Sequence, residues 1–107
     1  MKKVEALLKE HRLDKVSLAL HHVDGLTGMT VTDARGFGRG QTSRRDPNDL
    51  HRIARIEVFC QDHLADEIVQ TIQEAAHTGL HGDGKIYVIP VDDAIRIASG
   101  ERGKTAV

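Results

Sequence analysis

Two short glycine-rich stretches, Gly36-Phe37-Gly38-Arg39-Gly40 and Thr78-Gly79-Leu80-His81-Gly82-Asp83-Gly84-Lys85, hold the residues of this chain best suited to chemistry. Glycines let backbone N–H groups come close to an anion, and a neighbouring arginine or lysine neutralises its charge. With Arg39 in one stretch and Lys85 in the other, the pair reads as a phosphate cradle, and the ligand it predicts is a nucleotide. The first stretch alone would be an ordinary turn, because glycine is the default turn residue. The second shifts that balance.

Other reactive side chains are less suggestive. His21 and His22 are adjacent, so they cannot face one metal ion as an i, i+4 pair would, and they read as a solvated helix edge. His77 and His81 have that spacing but straddle an expected helix end, and no third ligand is evident. No metal site and no catalytic residue are therefore predicted, and His81 reads as a pH-sensitive neighbour of the phosphate. Cys60 has no catalytic partner in sequence and reads as a small buried apolar residue.

The 107 residues suit one domain, spanning 1–107. A domain of this size buries a modest share of its surface, so self-association would help it. At 39% hydrophobic and 29% charged residues, the composition is that of an ordered globular protein. A formal net charge of −1 excludes the basic surface that non-specific nucleic-acid or anionic-membrane binding needs. A single cysteine forbids an internal disulfide, and the charged start after Met1-Lys2-Lys3 has no signal-peptide core, so a cytoplasmic location is expected. No apolar run is long enough to enter a bilayer as a helix.

The elements that must position the two glycine stretches follow from periodicity. Lys3 to Lys9 suits an opening strand; Leu13, Val16, Leu20 and Val23 recur at helical spacing from an N-cap at Asp14 until Gly25. Met29 to Arg35 alternates as a strand, and residues 36 to 52 turn polar and read as an exposed loop, flexible over about 39–52. Loops this long inside compact domains are commonly functional. Ile53 to Cys60 is the next strand, Asp62 caps a helix striped by Leu64, Ile68, Ile72 and Ala75, and Ile86 to Val91 is a last strand ending around Pro90. The order is βαββαβ, which predicts an α+β, ferredoxin-like antiparallel sheet with both helices on one face. The bare face needs covering, and an oligomer is the usual solution.

The opening Met1-Lys2-Lys3-Val4-Glu5-Ala6, the segment Gly28-Met29-Thr30-Val31-Thr32, both glycine stretches, and Ile95-Arg96-Ile97 with Gly100-Glu101 occur in an order that resembles the PII signal-transduction family over nearly the whole chain. The resemblance implies a homotrimer with an adenine nucleotide (ATP, ADP or AMP) in each cleft between subunits, with magnesium as an accompanying ion. It also implies a regulator and not an enzyme, acting on a membrane transporter or a cytoplasmic enzyme of nitrogen, inorganic-carbon or metal-ion metabolism through a mobile loop. Carried over by position, Gly36, Phe37, Gly38 and Arg39 match the loop base at the nucleotide, and Gly82, Asp83, Gly84 and Lys85 match the second phosphate loop. Met29, Thr30 and Thr78 match adenine and ribose contacts, and Arg96 matches a phosphate-facing arginine from the adjacent subunit.

Departures from the pattern are equally informative. The long loop is short and has no tyrosine, since the single tyrosine is Tyr87 in a strand, which removes tyrosine uridylylation. Gly40 stands where a glutamine usually follows Arg39, and no lysine matches the usual partner of a 2-oxoglutarate carboxylate, which weighs against sensing of that acid. Ala98 replaces a second arginine and makes ADP or AMP credible beside ATP. Two other classes compete: a weak nucleotide phosphohydrolase and a scaffolding oligomer without nucleotide. An RNA-recognition sheet would need aromatics, which are 3% of the chain, and a metal chaperone would need a cysteine pair.

Overall fold

In the computed structural model, residues 1–38 and 50–107 are described. Four strands, β1 (Lys2–Lys9), β2 (Thr30–Gly36), β3 (His51–Cys60) and β4 (Gly84–Pro90), and two helices, α1 (Leu13–His21) and α2 (Ala65–Ala76), follow one another as βαββαβ. The sheet order is β2-β3-β1-β4 and every pairing is antiparallel. This is the α+β arrangement expected from the sequence.

Strand alternation puts Val4, Ala6 and Leu8 of β1 and Ala54, Ile56 and Val58 of β3 on one face, where they are fully buried. Val16 and Leu20 of α1 and Ile68 and Ile72 of α2 close the same core, so both helices cover one side of the sheet. Cys60 lies in this core, and burial pushes its thiol pKa up, which keeps it protonated and inert.

Three expectations are corrected. Asp14 is not the cap of α1: the N-cap is Arg12, after a 3-10 turn over Glu10–Arg12, and Asp14 lies in the first helical turn, where its charge suits the helix dipole. Asp62 likewise sits inside a 3-10 turn (Asp62–Leu64) ahead of the α2 N-cap at Leu64, and its carboxylate accepts a 2.7 Å hydrogen bond from the Met1 amino group. Finally, β2 and β3 pair as far as Gly36 opposite His51, so the connection is shorter at both ends than residues 36–52. Backbone hydrogen bonding across the hairpin sets that limit, and polar His51 and Arg52 at an exposed strand end gave no apolar signal of it. Residues 39–49 of the expected flexible loop lie outside the described residues.

One long-range tie braces the C-terminal end of α2. Arg12 donates from Nε (3.1 Å) and Nη2 (2.7 Å) to the Ala75 carbonyl, a helix-terminal oxygen that has no partner within the helix. Arg12→Ala is expected to cost about 1.5 kcal/mol, the scale of a hydrogen bond to a charged group, read as a lower denaturation midpoint.

Candidate functional site

The register brings both glycine stretches to one end of the sheet. β2 ends at Gly36 opposite His51, β1 ends at Lys9 opposite Ile53, and β4 begins with Gly84 opposite Leu8. Phe37, 73% exposed, and Gly38 leave β2 at this end. Arg39 and Gly40 lie outside the described residues.

The second stretch is a built loop. After α2 the chain turns extended at His77, and Asp83 gathers the loop around its carboxylate. That carboxylate accepts hydrogen bonds from the Thr78 amide (2.8 Å), the Thr78 hydroxyl and the Gly79 amide (3.3 Å), and pairs with Lys9 Nζ at 3.2 Å. The Thr78 hydroxyl in turn accepts from the Leu80 amide at 3.1 Å. These bonds, those from Thr78 foremost, hold the Asp83 carboxyl well below the usual carboxylate range. Asp83 and Thr78, matched by sequence to ligand contacts, thus have their polar atoms engaged in shaping the loop.

Gly79, Gly82 and Gly84 all have positive φ. At Gly84 the reason for glycine is packing: φ is +112°, and a Cβ there would stand 1.7 Å from the Leu7 carbonyl oxygen. The next residue, Lys85, is exposed, and its side chain has no ion-pair or hydrogen-bond partner among the described residues. Its charge is available to a ligand.

The opposite, helix-free face of the sheet links several candidates. Alternation puts Thr30 and Gly36 of β2 on it, and Lys85 with them, in rows that run through Glu57, Arg55, Glu5 and Leu7. Lys3 bridges Glu5 (3.1 Å) and Glu57 (2.9 Å) there, and Arg55 stands 3.5 Å from Glu57. The hydrogen bond that Lys3 donates lowers the Glu57 pKa, and those that it donates to Glu57 and then Glu5 raise its own. None of these inter-row residues was singled out in the sequence; their signal was the polar half of an alternating strand, which also describes ordinary solvated positions.

A single chain does not bring every candidate together. Thr30 and Lys85 stand on strands three pairings apart, about 14 Å by ordinary strand spacing. Met29, just before β2, packs partly buried against the core. Arg96 follows the far end of β4, where the Val91 amide bonds the Met1 carbonyl, and its Nε lies 3.6 Å from Glu101. A small turn holds that segment: Arg102 bonds Asp93 through Nε (3.0 Å) and Nη2 (2.5 Å), and Asp93 also takes the Ala94 and Gly103 amides. The pair with Arg102 is the first cause of the lowered Asp93 pKa. In one chain Arg96 and Lys85 therefore belong to opposite ends of β4.

The family described as Nitrogen regulatory protein P-II matches residues 1–101. This chain belongs to the PII family. It is 44% identical over 117 aligned positions to the nitrogen regulatory protein P-II of Azospirillum brasilense, covering all of both chains, and equally similar to that of Rhodospirillum rubrum. A crystal structure of Arabidopsis thaliana PII bound to citrate superposes with a TM-score of 0.84 at 39% identity, covering 99% of this chain and 91% of that one. The signal-transduction role of PII proteins in nitrogen regulation is thus the class to which this PII chain belongs. Among its described residues no helix is long and apolar enough to cross a membrane.

Proposed function

We propose that this PII protein is a non-enzymatic cytoplasmic regulator that binds an adenine nucleotide between the subunits of a homotrimer. The observation that carries the reading is the convergence of the two glycine stretches at one sheet end, with the 78–84 loop latched by Asp83 and the Lys85 charge unpaired beside it among the described residues. A preorganised loop of backbone amides with an available cation is what a phosphate group requires. The separation of Arg96 and Lys85 along β4 supports a site completed by a second copy. So does the uncovered sheet face, where Phe59 (47%), Tyr87 (45%) and Ile89 (38%) stay exposed around the Lys3 bridges. Citrate in the Arabidopsis relative supports small polyanions as effectors.

Calorimetric titration with ATP, ADP and AMP, with and without magnesium, on a sample whose mass is fixed by light scattering tests this directly. One nucleotide per subunit of a trimer is the expected result; no heat with any of them would leave a scaffolding oligomer. Lys85→Ala should weaken binding by about 1.5–3 kcal/mol without lowering the thermal midpoint, because the side chain meets the ligand and not the fold. An unchanged affinity overturns its placement.

Partner control is assigned to the connection between β2 and β3, acting on a membrane transporter or a cytoplasmic enzyme. A ligand shifts such a segment only by binding its two states with different affinity, and the nucleotides differ in their terminal phosphates. Deleting residues 40–50 should abolish partner capture while nucleotide titrations stay unchanged; loss of both would refute the division of labour.

A further inference from the structure

Beyond β4 the chain forms a narrow hairpin that carries Arg96. It leaves the sheet where the Val91 amide bonds the Met1 carbonyl (3.2 Å), and it rejoins the body where the Gln61 side-chain amide donates to the Lys104 carbonyl (2.5 Å). Between these ties Ile95 and Arg102 form an antiparallel bridge. The Arg96 amide donates to the Glu101 carbonyl (2.8 Å), and the Gly100 amide returns to the Arg96 carbonyl (2.7 Å). Apolar packing adds little anchoring here, since Ile95 is 54% exposed and Ile97 fully exposed. The shape of the hairpin therefore depends on its hydrogen bonds.

Asp93 closes its base. One carboxylate oxygen, Oδ1, accepts from the Ala94 amide (2.9 Å) on the outgoing leg and from the Gly103 amide (3.2 Å) on the returning one. The other, Oδ2, takes Arg102 Nε (3.0 Å) and Nη2 (2.5 Å). A single side chain thus joins both legs, three residues before Arg96. Arg96 is itself loosely held: its Nε is 3.6 Å from Glu101, outside hydrogen-bond distance, and its side chain is half exposed. Such a long side chain serves a phosphate well only from a backbone that is already fixed, because order that is missing beforehand has to be supplied on binding.

We propose that Asp93 is a positioning residue for Arg96, a role that rests on the intersubunit nucleotide site proposed above. Asp93 does not touch the nucleotide; clipped to Arg102, it fixes the hairpin from which Arg96 reaches the phosphates held by a neighbouring copy. Arg102 is the competing cation of the hairpin, but two of its nitrogens are engaged by Asp93 and face the hairpin's own base.

Calorimetric titration of the full chain with ATP tests the role, using Asp93→Asn, Arg102→Gln and Arg96→Ala. Asparagine keeps one acceptor oxygen for the backbone amides but turns an NH2 group on the guanidinium, so it opens the clip at nearly constant volume. Asp93→Asn and Arg102→Gln should each weaken ATP binding about fivefold, and neither by more than Arg96→Ala, through which both act. In an Arg96→Ala background Asp93→Asn should have no further effect, while in a Lys85→Ala background its full loss should remain. Hydrogen exchange of the ligand-free protein should accelerate at the Gly100 and Gly103 amides and stay unchanged in α1 and α2, with the mass by light scattering as in wild type. If Asp93→Asn fails to fold or assemble, Arg102→Gln, whose side chain is 69% exposed, carries the same cycle. ATP affinity unchanged by opening the clip, or a loss that adds to that of Arg96→Ala, overturns the proposal. Tighter binding by Asp93→Asn beside weaker binding by Arg102→Gln overturns it too, and makes Arg102 a direct phosphate contact. These results leave the nucleotide site standing. Wild-type protein that gives no heat with ATP, or Arg96→Ala protein that binds ATP as wild type does, instead refutes the intersubunit site and the positioning role with it.

Discussion

Gly84→Ala is expected to destabilise the fold by about 3 kcal/mol or more, lowering the thermal midpoint by roughly 10–20 °C. Two independent causes act together. The residue's φ of +112° is one that L side chains rarely adopt, and the new Cβ would stand 1.7 Å from the Leu7 carbonyl oxygen, with the Leu8 Cα 3.1 Å away. These are backbone atoms of β1, the strand paired on both sides at the centre of the sheet, and they cannot rotate aside as a side chain tip could. Relief requires β4 to separate from β1 at its first residues, which also moves Lys85. Gly79→Ala is the control: its φ is also positive, at +82°, but nothing lies within 4 Å of its Cβ position. It should cost about 1–2 kcal/mol. Thermal denaturation of both variants at one protein concentration decides the matter, since midpoints of oligomers depend on concentration. Equal losses would show that backbone conformation, and not the approach to β1, demands glycine at position 84.

Asp83→Asn should weaken nucleotide binding by on the order of tenfold although the side chain has no oxygen left over for a ligand. The carboxylate gathers Thr78, Gly79 and Lys9, and an amide keeps a single acceptor oxygen and loses the ion pair with Lys9. The loop would then sample other shapes, and the ligand would have to order it on binding. Amide hydrogen exchange at Thr78 and Gly79 should accelerate before any ligand is added, which distinguishes a loosened loop from a lost contact.

The same substitution has a pH signature with a definite sign. The Asp83 carboxyl titrates below its ordinary range in the folded chain, so its stabilisation is fully present above about pH 4, where an unfolded aspartate is already ionised. Between there and the lower folded-state value the unfolded chain binds the extra proton, and stability falls as pH falls. The substituted amide cannot titrate. The thermal midpoints of wild type and Asp83→Asn should be furthest apart near neutrality and converge on acidification. A constant gap from about pH 7 to pH 3 would show that shape, and not charge, holds the loop.

Lys85→Ala and Asp83→Asn therefore separate two ways of losing affinity. The first should leave exchange rates and stability alone, because the Lys85 side chain has no partner among the described residues; the second should change both. Arg12 belongs with Asp83, since it braces the helix end from which the loop departs.

Much of the frame was legible because it is local. The spacing of Val16 and Leu20 and of Ile68 and Ile72 marks two helices, and the alternation of Val4, Ala6 and Leu8 marks a strand with one buried face. The element order and the glycine stretches then resembled the PII family, and the family match over residues 1–101 agrees. Where local reading failed, the competing choice was non-local. Asp14 and Asp62 are good capping residues by type, yet 3-10 turns ahead of both helices moved the caps upstream or downstream of them, and Asp62 found its partner 61 positions away at Met1. His51 and Arg52 look like loop and are strand, because pairing with β2 continues for as long as both backbones stay in register.

The sequence by itself determined the elements, their order, the apolar faces and the family, since each depends on residues within a few turns or alternations of one another. Tertiary structure decided which groups meet: Lys9 with Asp83, Arg12 with Ala75 across 63 positions, and the Leu7 carbonyl that makes Gly84 obligatory. The physical reason is that a buried apolar side chain accepts almost any apolar neighbour and so advertises itself by periodicity, whereas a charge or a hydrogen bond needs one partner at one distance. That partner is supplied by strand register and helix packing, which no short stretch of sequence contains.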